Sequence, residues 1–289
     1  MYVIISGLNL CLILLFLNFL PVSCSSSTKQ EQTVSNLDAE TNHVPDQLNL
    51  SIVIDLSDRL TRDNVIPSQK ENDITLINYF INYFIDYCKS QKVNKCKNSF
   101  RILFYPAPKV SNINNLSKDL YVDLSTKSNN EKLSVLTNMK DNMDEALEII
   151  YSKTLTDKNF TGSDIWDFFA NKQVDKLCIK SNYRNVVVIL TDGYLYHSDH
   201  KIQQGNSYSY VLPQTLQKGG TLIPGRNDLT NIEVIMLEVN PYSQLQKSQL
   251  ISVLENWFKD MGMNSECLSI NETDIPNNTQ TIIKNFLNP

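Results

Sequence analysis

Residues 48–59 read LNLSIVIDLSDR, and residues 185–193 read NVVVILTDG. Each is a continuous run of aliphatic side chains that ends on a hydroxyl-and-carboxylate cluster. A strand buried on both faces reads this way, because helices cover both sides of a parallel sheet and leave no polar alternation. Working outward, apolar positions Ile74, Ile77, Phe80, Ile81, Phe84 and Ile85 recur at helical spacing within 73–87. FRILFY (100–105) is a further strand, stopped by Pro106 and Pro108, and LYVDL (120–124) another. Residues 131–155 predict a long helix or two, and residues 164–177 one more, with Ser163 placed to cap it. IEVIMLEV (232–239) is the next strand, 244–261 an amphipathic helix, 267–270 a short last strand and 279–287 a closing helix.

Strands alternating with long helical segments predict an α/β fold, a three-layer, doubly wound and mostly parallel sheet with helices on both faces. In such sheets ligands sit beyond the carboxyl ends of the strands. The chemically distinctive residues fall there. Asp55-Leu56-Ser57-Asp58-Arg59 follows the first strand, Thr161-Gly162-Ser163-Asp164 opens a helix, and Thr191-Asp192-Gly193 follows the strand VVVIL. Carboxylates and hydroxyls gathered at one sheet edge form an all-oxygen environment of the kind hard divalent cations prefer. A cation ligated mostly by neutral hydroxyls keeps positive charge and can accept a carboxylate from a partner.

The order strand–DxSxx, helix-opening GS, strand–TDG resembles the von Willebrand factor A family, across residues 48–289. The resemblance implies a metal-ion-dependent adhesion site holding Mg²⁺ or Mn²⁺ and a protein ligand. It maps Asp55 and Ser57 onto the first Asp and Ser of the family's DxSxS motif. Ser163 falls on its distant Thr, and Asp192 on its TDG carboxylate. Arg59 departs from the pattern, standing where the family places a second metal-coordinating Ser. A guanidinium is always charged and cannot ligate a cation. Inside the site it would repel Mg²⁺ by several kcal/mol at an effective dielectric of about 20. Two arrangements follow. Arg59 either swings outward, towards Asp58 or Asp63, or folds in, pairs with Asp55 or Asp192, and replaces the metal.

The remaining features bound the function. The chain has 289 residues, 42% hydrophobic and 9% aromatic, enough for a sizeable core, and a net charge of −5 without any basic stripe, which excludes a nucleic-acid partner. Residues 2–22 are almost wholly apolar, and no Lys or Arg precedes Lys29. The stretch reads as a secretory signal over 1–24. Leu20-Pro21-Val22-Ser23-Cys24 resembles a bacterial lipobox, with Cys24 the lipidated residue. An ordinary cleaved signal and an uncleaved anchor are the alternatives, since about 20 apolar residues span a bilayer. All three export the chain to the cell envelope. Residues 25–47 are polar and short of large apolar groups, as in a flexible tether. Four further cysteines remain, Cys88, Cys96, Cys178 and Cys267, and Cys88 with Cys96 is the candidate disulfide.

An enzyme reading has less to stand on. Asp55 with Asp192 could hold a metal that activates water. Yet the sequence has no GxSxG and no HExxH, and DLSDR lacks the second Asp of a DxD phosphoryl-transfer motif. Asp58, His197 and His200 are the candidates for a base, and a zinc site at His197 and His200 is a weaker reading. Residues 194–224 form an insertion beside the site, either a partner-contacting surface or a mobile polar loop. The expectation is a non-enzymatic, membrane-tethered binding protein. A metal-free structural component of the envelope is the alternative.

Overall fold

A computed structural model describes residues 47–61, 67–158, 160, 162–197, 203–204, 207–208, 222–240, 244–272 and 276–288. These all belong to one compact unit, Val44–Pro289. The expected signal, the lipidated Cys24, all but the last residue of the tether, His200 and most of the 194–224 insertion lie outside the described residues. Among the described residues no helix is long and apolar enough to cross a membrane.

Six strands form the main sheet: β1 (Leu48–Ile54), β2 (Ser99–Phe104), β3 (Tyr121–Asp123), β5 (Arg184–Leu190), β9 (Glu233–Leu237) and β10 (Leu268–Ile270). Their order is β10-β9-β5-β1-β2-β3, and every pairing is parallel except β2 with β3. Among the described residues four two-residue strands lie outside it: β4 (Gly162–Ser163) pairs with β6 (Tyr196–His197), and β7 (Gln203–Gln204) with β8 (Ser207–Tyr208). The helices are α1 (Gln69–Ser90), α2 (Ile113–Asp119), α3 (Asn129–Asp157), α4 (Ile165–Ala170), α5 (Gln173–Cys178), α6 (Gln244–Asp260) and α7 (Pro276–Leu287).

The sheet is covered on both faces, as the aliphatic runs require. Leu48, Leu50, Ile52 and Ile54 of β1 pack with α1, α3 and α7, while Val53 packs with α4, α5 and α6. The period-two alternation of a strand thus feeds two cores at once. The second core is anchored on aromatics: Phe169, Trp257 and Phe258 are fully buried and meet edge to face or tilted, with centroids 4.9–6.0 Å apart. Such pairs contribute about 0.5–1.5 kcal/mol beyond their buried area.

Helix starts follow local chemistry. Ser68 caps α1 in a capping box with Glu71, and Ser128 does the same for α3 with Glu131. Two expectations are corrected here. The helix expected over 164–177 is two short helices, because Lys172 takes a left-handed φ of 57° between them. Its cap is Asp164, whose carboxylate accepts from the Asp167 N–H at 3.0 Å, and not Ser163.

Candidate functional site

The chain leaves β1 for β2 and β3 on one side of the sheet, and β5 for β9 and β10 on the other. The crevice between β1 and β5 is therefore the switch point of the topology, where a doubly wound sheet opens for ligands. Ile54 pairs with Leu190 at the end of that boundary, and the Asp55 N–H extends it by donating to the Leu190 carbonyl at 3.0 Å. Asp55 and Thr191 are thereby set side by side. The Thr191 hydroxyl donates to one Asp55 carboxylate oxygen at 2.8 Å, and the Ser57 N–H donates to the other at 2.8 Å.

The segment after β5 turns sharply. Gly193 has φ 88°, and a Cβ there would stand 2.9 Å from Val239 Cγ1, so the glycine is required for both conformation and space. Its N–H donates to Thr191 Oγ1 at 3.2 Å, and the Tyr194 N–H donates to Asp192 Oδ1 at 3.0 Å. The short β4–β6 pairing sets Ser163 opposite Tyr196, four residues after Asp192. Ser163 is fully buried, and its hydroxyl has no hydrogen-bond partner among the described residues. An unpaired buried hydroxyl costs roughly 1–3 kcal/mol, which is a reason to expect a ligand for it. The fold thus brings Asp55, Ser57 and Asp192 to one sheet edge and hangs Ser163 from the strand that runs back beside it.

Arg59 folds inward. It is 1% exposed, and its Nε donates to the Asp55 carbonyl at 2.8 Å and lies 3.9 Å from Asp55 Oδ2. The expected pairing with Asp55 is present, but the principal partners come from elsewhere. Asp73, in the second turn of α1, takes Nη1 and Nη2 at 3.2 and 2.8 Å, and Glu238, just past β9, takes Nη1 at 3.1 Å. Tyr151 of α3 donates to Asp73 at 2.6 Å, and Gln69 donates to it at 3.1 Å. Glu238 adopts a left-handed φ of 66°, a conformation costing a non-glycine roughly 1–2 kcal/mol. From there its carboxylate reaches the guanidinium.

The electrostatics of this centre are strongly one-sided. Burial raises the pKa of Asp55, against the pull of Arg59 and of its Ser57 and Thr191 hydrogen bonds. Burial also raises Glu238 well above the usual carboxylate range, helped by the adjacent Asp73 charge. Burial opposes the charge on Arg59, yet Asp73, Glu238 and Asp55 hold its pKa above the ordinary value. Asp55, Asp73 and Glu238 are buried around a single guanidinium, and Asp192 is buried as well. That imbalance must be met by protons or by a further cation.

The edge offers oxygen donors of the type Mg²⁺ or Mn²⁺ would take, the hydroxyls of Ser57 and Ser163 and the carboxylates of Asp55 and Asp192, while among the described residues no three His, Cys, Asp or Glu side chains are grouped to hold a metal ion. Asp73 and Glu238 clamp the far end of the guanidinium, while its Nε stays 3.9 Å from Asp55 Oδ2. The donor set is short of a third hydroxyl, which water would have to replace.

Sequence reasoning missed Asp73, Tyr151 and Glu238. A signal for two of them existed. Asp73 lies on the same helical stripe as Ile77, Phe80 and Phe84, and Glu238 interrupts the aliphatic run of β9.

These features define an α/β three-layer domain with a buried acidic centre at its topological switch point. No family model matches the chain, and no curated protein matches it. Among solved structures, the chain is similar to the pilus adhesin SpaC from Lactobacillus rhamnosus GG, with TM-score 0.44 and 8% identity over 85% of this chain and 30% of that one. The open conformation of the same adhesin gives TM-score 0.39 and 9% identity, over 83% of this chain and 29% of that one. The chain thus spans less than a third of the length of the structures it matches.

Proposed function

We propose that the domain is a partner-binding module of the von Willebrand factor A type, tethered to the cell envelope by its N-terminal segment and not an enzyme. Its contact surface is the sheet edge after β1 and β5. One observation carries the reading. The Asp55 carboxylate is fixed by the Ser57 N–H and the Thr191 hydroxyl, and the fully buried Ser163 hydroxyl, with no partner among the described residues, hangs from the strand paired beside Asp192. In this reading Ser57, Ser163, Asp55 and Asp192 hold Mg²⁺ or Mn²⁺, directly or through water. The bound ion supplies positive charge to an acidic side chain of a protein partner.

The clamped guanidinium favours a second reading, in which Arg59 is the resident cation and the domain is a metal-free envelope component. The excess of carboxylates over guanidinium groups favours the first. Titration of Mg²⁺ and Mn²⁺ into the purified chain, with heat as the readout, decides between them. Saturable binding by the wild type and its loss in Asp55→Ala are expected. Absence of both heat and metal-dependent thermal stabilisation in the wild type would leave only the second reading.

A further inference from the structure

Away from the sheet edge, the structure holds a pair of cysteines that the binding site does not use. Cys88 lies in the last turn of α1 and Cys96 at the end of the connection into β2. Both are fully buried in the core beneath α1 and α3. Both are free thiols, and each is the largest influence on the other's ionisation, which raises Cys88 and lowers Cys96.

The surrounding backbone holds them there. Lys92 takes a left-handed φ of 65°, and three successive turn bonds follow: Lys92 N–H to Lys89 O at 3.2 Å, Lys95 N–H to Lys92 O at 2.8 Å, and Cys96 N–H to Val93 O at 3.3 Å. Asn98 donates to Cys88 Sγ at 3.4 Å, and is itself fixed because its carbonyl oxygen accepts from the Leu48 N–H at 2.7 Å. A seven-residue connection wound this tightly, with both cysteines buried in one core cluster, keeps the pair within the short span that a cross-link requires.

We propose that Cys88 and Cys96 are a redox pair that closes to an intramolecular disulfide by exchange with a disulfide oxidant, stapling the end of α1 to the start of β2. The chemistry is two successive exchanges. The Cys96 thiolate attacks one sulfur of the oxidant, a mixed disulfide forms, and the oxidant's other sulfur leaves as a thiol. The Cys88 sulfur, giving up its proton, then attacks Cys96 Sγ and expels the second thiol. Two protein thiols become one disulfide while the oxidant's disulfide becomes two thiols. Cys96 is the better attacking group, because the hydrogen bond from Cys88 and the nearby Lys132 lower its thiol to about 7. Burial directs the exchange to the folding chain or to a transient opening of the 89–95 connection.

The test uses the whole chain, reduced and unfolded, then refolded with a mixture of oxidised and reduced glutathione. Trypsin cuts after Lys89 and Lys95, so the disulfide joins Glu71–Lys89 to Cys96–Lys97 in a peptide pair that mass spectrometry identifies without reduction. That pair is expected as the dominant cross-link, absent from Cys88→Ser and from Cys96→Ser. Reductant is expected to lower the melting temperature of the oxidised wild type and to leave both variants unchanged. Cys96→Ser retains an acceptor for the Cys88 thiol, which guards against loss of fold as the explanation. Recovery of both cysteines as free thiols or separate glutathione adducts, or their pairing with Cys178 or Cys267, would overturn the proposal.

Discussion

Arg59 enters a space lined by carboxylates, and the cost of burying its charge is met by three of them. A bidentate pair with Asp73 is the kind of geometry in which a guanidinium gains most. Removing one partner of a buried pair leaves the other uncompensated, typically at about 3–5 kcal/mol. Arg59→Met is therefore expected to lower unfolding stability by that order, read from the midpoint of denaturant unfolding at neutral pH. Glu238 makes a subtler prediction. Its folded-state pKa is raised, so its contribution is complete below the ordinary value of 4.5 and is lost as pH rises through the raised value. Glu238→Gln keeps a neutral group and cannot titrate. The variant should gain stability relative to wild type as pH climbs from below 4.5 towards neutrality. A gap between the two unfolding midpoints that stays constant with pH would contradict this account.

At the scale of elements, short-range chemistry decides where helices begin and tertiary packing decides where they break. The Ser68 side chain and Glu71 satisfy two otherwise orphaned donors at the start of α1, and the Ser68 N–H to Glu71 carboxylate bond is 2.7 Å. Loss of such a cap costs about 1 kcal/mol. Ser68→Ala is expected to destabilise the domain by that amount, with Asp73 in the following turn losing some of its hold on Arg59. The measurement is the thermal midpoint, alone and combined with Arg59→Met, where coupling between the two would appear as non-additivity. Start signals of this type are written in adjacent residues. The break between α4 and α5 is not: nothing in NKQVD requires Lys172 to turn left-handed, and the two helices instead fold around the fully buried Phe168, Phe169 and Val174. The antiparallel β3, with Phe100 opposite Val122, is likewise decided by its place at the sheet edge.

At the scale of the molecule, much of the architecture is legible in the chain itself. The runs LNLSIVI and RNVVVIL are aliphatic on both sides, so both faces must be covered, and parallel strands with helical crossovers are the standard way to do it. From that frame Asp55, Ser57, Asp192 and Thr191 could be placed at strand ends from residue order alone. Whether they would be brought together depended on strand order, since only adjacency of β1 and β5 sets Asp55 beside Thr191. Hydrophobic periodicity states which face a side chain takes, whereas the neighbour across the sheet is chosen by the global packing of six strands.

The sequence by itself determined the fold class, the strand ends where polar residues gather, and the anomaly of an arginine in a hydroxyl position. These depend on local pattern: aliphatic runs, helical spacing and turn residues act within a few positions of the chain. Only the tertiary structure decided what becomes of Arg59, because its partners Asp73 and Glu238 lie 14 and 179 residues away. A buried charge is stabilised by whichever opposite charges the fold brings within hydrogen-bond reach, and separation along the chain carries no information about that distance.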